Sequence, residues 1–269
     1  MSEGAALIPR HAFLLTDLEG AAGVTHWRQT RTGGGPEQEA ARKLLSGEVN
    51  AAIASMREAD PTIRVSVWDG HGTGGLDWAL LSGADHVYRH DHPGSFPAVF
   101  EAATREPDPI DAVFFIGQHA MEGTGGNLAH TYSSTRVREH LLNGVAIGEF
   151  GTRALHAWAV NIPTVFFSGD DIACREAQEL MPGLVAVEVK RSISVTEAEC
   201  LTHEAACAAI AAGVARVMNG EVHEEGVTPR FQPDGPFEYR EIKRAKWGLV
   251  PRPNRRHTGD DLADVLKRI

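Results

Sequence analysis

The chain is short of cysteine and has no long hydrophobic run. It contains three cysteines and thirteen histidines among 269 residues. Three thiols are too few for a disulfide framework or for a zinc site built from thiolates. Any metal would therefore have to be held by imidazoles and carboxylates. No stretch approaches the ~20 apolar residues of a membrane helix. The N-terminus has no basic segment before an apolar run, so no secretory signal is expected.

Basic residues are also scarce. The chain has 26 Lys and Arg against 36 Asp and Glu, a formal net charge of −10. This balance disfavours bulk nucleic-acid binding, which depends on Lys and Arg neutralising phosphates. A composition of 42% hydrophobic and 23% charged residues lies in the range of globular proteins. We therefore expect a cytoplasmic enzyme with neither nucleic acid nor membrane as a partner.

Short apolar runs alternate with longer amphipathic stretches along the chain. The apolar runs predict buried strands at Ala12–Thr16, Ile63–Trp68, Ala112–Ile116, Val145–Ile147 and Thr164–Phe167. Helical patterns cover Pro36–Glu58, Glu149–Val160, Asp170–Leu180 and Thr202–Met218. This alternation, with strands apolar along their whole length, predicts an α/β fold: a mostly parallel sheet with helices on both faces.

The composition changes to Pro, Gly and charged residues past about Asn219. Arg240–Arg256 carries seven basic residues and one acid, and Asp260–Ile269 predicts a short final helix. We predict a catalytic α/β metallohydrolase domain over residues 1–219. A small C-terminal extension, residues 220–269, would pack on that domain or on a neighbouring subunit.

Two carboxylates follow the first predicted strand directly. Asp17 and Glu19 are two residues apart, so in extended chain their side chains share one face. Neighbouring carboxylates repel each other and raise each other's pKa unless a cation neutralises them. Taken alone, this pair also fits a solvated strand end.

Similar polar residues follow three further predicted strands. His71 follows the second strand, His119 the third and Glu149 the fourth. The ends of parallel strands share one edge of the sheet, where α/β proteins bind ligands. Each histidine alone fits a structural role, but the set supplies five ligands suited to a pair of divalent ions: Asp17, Glu19, His71, His119 and Glu149.

Six short motifs occur in order between about residues 12 and 210. They are Thr16-Asp17-Leu18-Glu19-Gly20, Asp69-Gly70-His71, Gly117-Gln118-His119-Ala120, Ala129-His130-Thr131, Gly148-Glu149-Phe150-Gly151 and Gly169-Asp170-Asp171. Together they resemble the motifs of the metallo-D-aminopeptidases of the dipeptide-transport operon type, peptidase family M55. Thr16 stands where that family has Ser, and the segment after Asn219 matches poorly.

The resemblance implies a site with two zinc ions held by the five ligands named above, with His130 as the catalytic histidine. The residues alone leave His130 equally a surface histidine. Asp69, Asp170 and Asp171 would orient the ligands, although Asp170 and Asp171 also fit a helix cap. The implied reaction is amide hydrolysis that releases N-terminal D-amino acids from short peptides or amides. The resemblance also implies a homo-oligomer that assembles as a ring.

Other functions fit the same residues. A carboxylate and imidazole site with two metals also serves an amidase or hydrazidase acting on a non-peptide substrate, or a phosphoesterase. A phosphoesterase should add a cationic clamp, for which Arg136 and Arg138 are candidates. A binding module for peptides or small molecules would need no such ligands. The densest histidine cluster, Asp85–His92, we interpret as a polar loop.

Overall fold

The computed structural model of the protein describes residues 4–90, 96–105, 109–246 and 248–269. Its strands are β1 (His11–Thr16), β2 (Arg64–Asp69), β3 (His86–Tyr88), β4 (Ala112–Gln118), β5 (Val137–Leu142), β6 (Val145–Ala146), β7 (Thr164–Asp170), β8 (Val185–Ser194), β9 (Glu197–Cys200), β10 (Phe237–Lys243) and β11 (Arg255–Gly259). Its helices are α1 (Pro36–Ala59), α2 (Phe96–Thr104), α3 (Glu149–Ala159), α4 (Asp171–Leu180), α5 (His203–Met218), α6 (Glu224–Val227) and α7 (Leu262–Leu266).

The strands form a main sheet and a small sheet. The main sheet has the order β3-β2-β1-β4-β7-β8-β9 and is parallel except for the β8–β9 hairpin. Its central strands β1, β4 and β7 are buried along their whole length, which explains why their sequences are apolar without alternation. The small sheet is antiparallel, with the order β11-β10-β5-β6.

Helices cover both faces of the main sheet. Neighbouring residues of β7 point to opposite faces. On one face, α5 approaches Phe166 so closely that a Cβ at Gly213 would lie 2.9 Å from its ring. On the other face, Phe150 of α3 packs edge-on against Phe167, with 5.0 Å between ring centroids. The predicted fold class is therefore confirmed.

The prediction for Val145–Ile147 is wrong. Val145 and Ala146 are exposed and form β6, which pairs antiparallel with β5 in the small sheet. Asn143 and Gly144 both have positive φ angles, 48° and 82°, and make the two-residue Asn-Gly turn that closes this hairpin. Glu149 therefore reaches the main sheet as the first residue of α3 and does not follow a parallel strand.

The C-terminal segment packs on the same chain. Strand β10 pairs with β5, and Leu262 and Leu266 of α7 pack in one apolar cluster with Leu155 of α3. The final helix is shorter than predicted. It begins after Asp261, whose side chain caps the N-terminus by accepting a hydrogen bond from Asp264 N. The basic run is neutralised locally: Arg256 of β11 pairs with Glu238 of β10. None of the helices in the described ranges has the length and apolar character needed to cross a bilayer.

Candidate metal centre

The carboxyl ends of β1 and β4 approach each other unusually closely. Gly20 N donates to Gly117 O at 2.8 Å. A Cβ at Gly20 would lie 1.9 Å from Gln118 O, and one at Gly117, where φ is +74°, would lie 2.1 Å from Asp17 O. Only glycine fits at these two positions. The contact fixes the loop that carries Asp17 and Glu19 against the strand end that leads to His119.

The first group of candidate ligands consists of Asp17, Glu19 and His71. All three are buried, and one ligand atom from each lies within 4.8 Å of the others. His71 Nε2 is 3.2 Å from Glu19 Oε1. Three of the five predicted ligands are therefore brought together at the ends of β1 and β2.

The second group consists of His119, Glu149 and His130, again within 4.8 Å of one another and buried. His119 Nε2 is 3.4 Å from Glu149 Oε1, and His130 Nε2 is 3.7 Å from the same oxygen. Asp17 Oδ2 is 3.5 Å from His119 Nε2, so Asp17 lies between the two groups. The structure thus gathers all five predicted ligands and the predicted catalytic histidine into one site.

The imidazoles of the site are all oriented in the same way. His119 Nδ1 donates to Ala120 O at 2.9 Å, and His130 Nδ1 donates to Leu128 O at 3.0 Å. A carbonyl only accepts, so Nδ1 carries the proton and Nε2 presents its lone pair to the carboxylates. Such second contacts fix the tautomer of metal-binding histidines. In His71, Nδ1 is 3.3 Å from Thr73 Oγ1. That hydroxyl donates its own proton to Thr30 O, so it accepts the hydrogen bond from Nδ1.

A lone pair facing a carboxylate is repulsive unless a cation or an added proton lies between them. Burial opposes charge on His71, but Glu19 outweighs it and raises the pKa of His71 to about 9. Asp17 and Glu149 likewise raise the pKa of His119 well above its usual value despite burial. Burial also opposes ionisation of Glu149, but His119 and then Arg153 lower its pKa to about 2. The pocket therefore favours positive charge strongly.

Two ligand atoms have no hydrogen-bond partner among the described residues: Glu19 Oε2 and His119 Nε2. Buried polar atoms are normally paired, so unpaired ones call for a ligand. The donor set combines imidazole nitrogen with carboxylate oxygen, which suits zinc and similar divalent ions. The residues present therefore fit a divalent metal.

Arg153 is a site residue that the sequence analysis missed. Its Nη2 is 3.1 Å from Glu149 Oε2, and its Nη1 is 3.9 Å from Asp17 Oδ2. The guanidinium lies between the rings of Trp68 and Tyr132, 5.4 Å from each centroid. The available signal was its spacing: Arg153 is one helical turn beyond Glu149, where opposite charges meet on a helix.

A second missed residue, Lys190 of β8, is buried behind the site. Its Nζ donates to Val24 O at 2.6 Å, to Asn127 Oδ1 at 2.8 Å and to the backbone oxygen of Glu19. Lys190 therefore ties the loop that carries Glu19 to the loop that carries His130. No sequence signal marked it, because a lysine side chain is ordinarily solvated.

The loop of His130 has an unusual backbone on both sides of the histidine. Leu128 and Tyr132 have φ angles of 54° and 55°, a region that costs non-glycine residues about 1–3 kcal/mol and is concentrated at functional sites. Tyr132 N donates to Glu149 Oε1 at 2.6 Å. Trp27 packs edge-on against His130, with 5.4 Å between ring centroids. These contacts hold the imidazole over the carboxylates.

The three aspartates predicted to orient ligands differ in their contacts. Asp69 accepts from Gly75 N at 2.8 Å and so folds the loop that carries His71. Asp170 caps α4 and also accepts from Ala120 N at 3.2 Å, beside His119. Asp171 accepts from Ser192 N and pairs with Arg175; in the described ranges it contacts none of the candidate ligands.

The predicted polar loop Asp85–His92 is only partly a loop. His86 lies in β3, an edge strand of the main sheet. His90 follows this strand, and its Nδ1 is 3.6 Å from Asp69 Oδ2. Asp91 and His92 lie outside the described residues. The cluster therefore touches the rim of the site through His90 and adds no candidate ligand among the residues described.

A cavity of ≈ 360 Å³ opens onto the candidate ligands. Asp17, Glu19, His71, His130 and Glu149 line it, together with Arg153 and the polar residues of the Thr30 and Ser133 loops. Arg136 and Arg138, the expected cationic candidates, are not among its lining residues. The cavity thus presents the carboxylates and imidazoles to a small ligand.

Comparison with known proteins places this site in a family. The chain matches the sequence profile of the D-aminopeptidase family, peptidase M55, over residues 11–248. It is 29% identical over 145 residues to a D-aminopeptidase of Bacillus subtilis (strain 168), covering 54% of this chain and 53% of that protein. The match thus spans about half the length of this relative.

A solved structure supports the same relationship at the level of the fold. The chain is similar to the Zn-dependent D-aminopeptidase DppA from Bacillus subtilis, a self-compartmentalizing protease, with a TM-score of 0.79 and 22% identity. The superposition covers 96% of this chain and 94% of the other. At this identity the likeness establishes a shared fold. Since the family profile covers most of the chain and includes every candidate ligand, the predicted resemblance is confirmed: the chain belongs to the D-aminopeptidase family, peptidase M55.

Proposed function

We propose that the protein is a two-metal hydrolase, an aminopeptidase that releases N-terminal D-amino acids from short peptides or amides. The observation that carries this proposal is that Asp17 belongs to one group of three potential ligands and also faces His119 of the other group. One buried carboxylate shared by two such groups is the arrangement expected for a pair of divalent ions. Membership of the D-aminopeptidase family supports the choice of reaction.

Five residues would hold the ions, which we take to be zinc because the similar DppA is Zn-dependent. Glu19 and His71 would bind one ion, His119 and Glu149 the other, and Asp17 both. When bound, a pair of divalent ions polarises the scissile carbonyl and lowers the pKa of a coordinated water. Asp69 and Asp170 would orient His71 and His119 through the loop contacts described above, and Asp171 would act at most through β8.

His130 would accept a proton from the attacking water and then donate it to the leaving amine. Its Nδ1 is held by Leu128 O, so Nε2 is the atom that faces the cavity and exchanges the proton. A general acid or base of this kind contributes roughly 10²–10⁴-fold to the rate. The ligand atoms of His130, His119 and Glu149 lie within 4.8 Å of one another, so His130 could also bind a metal ion. The metal content of a His130 variant therefore distinguishes a proton donor from a ligand.

We also propose that the chain acts as a homo-oligomeric ring, with residues 1–219 as the catalytic domain and 220–269 as its C-terminal extension. The description of DppA as self-compartmentalizing supports this assembly. Leu249 is 86% exposed and lies within the basic segment Arg240–Arg256, which makes this loop a candidate contact between subunits.

The decisive experiment compares metal content and turnover in two variants. In Asp17→Ala we expect loss of bound zinc and of hydrolysis, because both ligand groups lose a carboxylate. In His130→Ala we expect zinc to remain while hydrolysis falls by roughly 10²–10⁴-fold. The measurements are elemental analysis of the purified protein and a panel of D- and L-aminoacyl amides and dipeptides.

Four outcomes would contradict the proposal. Full activity after chelation would exclude a metal-dependent reaction. Strict preference for L-residues, or cleavage of phosphate esters only, would exclude a D-aminopeptidase while leaving the metal site in place. Loss of zinc in His130→Ala would make His130 a ligand and would require a different proton donor.

A further inference from the structure

A second cavity of ≈ 230 Å³ lies directly beside the metal centre. The two cavities share Gly70, Tyr132 and Arg153 as lining residues. Apart from these and Thr152, the second cavity is walled by largely apolar side chains: Trp68, Phe96, Pro97, His156, Leu266 and Ile269. The first cavity is polar and the second is apolar, so they suit different parts of one ligand.

The aromatic walls of the second cavity are rigid. Trp68 and Phe96 are both 7% exposed, with their ring centroids 5.4 Å apart. His156 packs edge-on against Phe96, at 5.7 Å. An apolar cavity of about 150 Å³ is large enough to bind benzene, so this one has room for a phenyl ring or a branched aliphatic chain.

Unsatisfied donors mark the boundary between the two cavities. Arg153 has only 5% of its side chain exposed, and its Nε and Nη1 have no hydrogen-bond partner within the described part of the chain. A carbonyl or carboxylate oxygen of a ligand at this boundary would satisfy them. His156 is only 3% exposed, and its Nδ1 likewise has no hydrogen-bond partner in the described ranges.

We propose that the second cavity is a specificity subsite that binds the apolar or aromatic side chain of the residue whose amide bond is cleaved. This inference rests on the proposed aminopeptidase function. The main chain of the substrate would lie in the polar cavity and donate or accept hydrogen bonds there, with Arg153 as an oxygen-binding residue. The side chain would enter between Trp68 and Ile269. The preferred substrates would therefore carry large apolar side chains in preference to a methyl group.

The test uses the zinc-loaded full-length protein and three substrates: D-alaninamide, D-leucinamide and D-phenylalaninamide. Because filling an apolar pocket discriminates by about tenfold or more for each group buried, we expect kcat/KM for D-phenylalaninamide to exceed that for D-alaninamide at least tenfold. Ile269→Trp narrows the subsite from its rim and should reduce this ratio at least tenfold. Val145→Trp adds the same bulk at an exposed position of the small sheet, outside both cavities, and should leave the ratio unchanged.

A binding measurement separates this proposal from the proposed function. Calorimetric titration of the same protein with D-phenylalanine and D-alanine measures the subsite without turnover. Hydrolysis with no preference for the larger amide overturns the subsite and keeps the aminopeptidase. A second outcome is that no hydrolysis occurs, but D-phenylalanine binds at least tenfold more tightly than D-alanine and Ile269→Trp abolishes this difference. That outcome keeps the subsite and overturns the aminopeptidase. If the protein shows neither hydrolysis nor preferential binding, both proposals are overturned.

Discussion

His119 of the candidate metal centre and His140 of the small sheet are both buried but have different electrostatic surroundings. His119 Nε2 faces two carboxylates, whereas His140 Nδ1 is hydrogen-bonded to the hydroxyl of Tyr239 at 2.6 Å and its ring stacks on Tyr132 at 5.2 Å. Burial, opposed by Glu241, lowers the pKa of His140 to about 4, while the carboxylates around His119 overcome burial and raise its pKa.

The contrast separates two uses of a buried imidazole. Burial by itself favours the neutral ring, so a histidine with a phenol partner and an aromatic neighbour is a structural residue. The same ring beside several ionised carboxylates must share a cation with them. Nε2 of His119 has two carboxylates within about 4 Å, whereas Nε2 of His140 has one, that of Glu241. The number of carboxylates facing the ring, more than burial, therefore distinguishes a ligand from a core histidine.

The largest expected effect comes from the paired substitutions His119→Phe and His140→Phe. His119→Phe leaves Asp17 and Glu149 without their shared imidazole, so we expect loss of bound zinc and a fall in kcat/KM of at least about 10³-fold. His140→Phe should keep the zinc content of the unaltered protein. Equal metal content in the two variants, measured by elemental analysis, would remove the distinction between the two histidines.

The next effect concerns Arg153, the buried cation of the site. Arg153→Met removes the partner of Glu149 and Asp17, and an uncompensated buried carboxylate costs about 3–5 kcal/mol. We expect a loss of unfolding free energy of this size in the chelated protein, measured by urea unfolding. Arg175→Met is the matched control, because its pair with Asp171 is on the surface and should change stability by less than about 1 kcal/mol. Equal losses would show that Arg153 has no special electrostatic role.

The smallest expected effect is the contribution of His140, in the small sheet, to the pH dependence of the free energy of unfolding. The folded pKa of His140, about 4, is below the value of ~6.5 in an unfolded chain. Between these values the unfolded state binds the additional proton, so the free energy of unfolding falls as pH falls from about 6.5 to 4, by up to roughly 1.4 kcal/mol per pH unit. In His140→Phe this slope should decrease. The part due to His156 should remain, because burial, followed by the charge of Lys267, lowers its pKa to about 4 as well.

A steeper slope in His140→Phe than in the unaltered protein would contradict the assignment. The variant should also lose about 1–3 kcal/mol at neutral pH, since the Tyr239 hydroxyl is left without its partner. Thermal or urea unfolding at a series of pH values measures both quantities in one experiment.

The five candidate ligands could be found in the sequence because each is adjacent to a recognisable secondary-structure boundary. Asp17, His71 and His119 follow strands that are apolar along their whole length, and in a parallel sheet such strands end at one edge. Glu149 lies beside the other candidates although Val145–Ile147 is not a buried strand, because the first residue of α3 lies at that same edge. The Asn143-Gly144 pair carried the hairpin signal that would have corrected the strand.

Other features of the site carried no local signal. Lys190 lies in the middle of a strand and reaches backbone oxygens far away in sequence. His90 meets Asp69 only because β3 pairs with β2. The apolar cavity combines residues from β2, α2, α3 and α7, and no spacing in the sequence relates them.

The sequence by itself therefore determined the α/β class, the carboxylate and imidazole chemistry of the site and its family, because these depend on strand patterns and on motifs that are contiguous along the chain. Only the tertiary structure decided which Nε2 atoms face which carboxylates, that Arg153 and Lys190 are buried beside them, and that an apolar cavity adjoins the metal centre. The physical reason is that charge balance and cavity shape arise from contacts between segments far apart in sequence, whose energies depend on distances that no local pattern specifies.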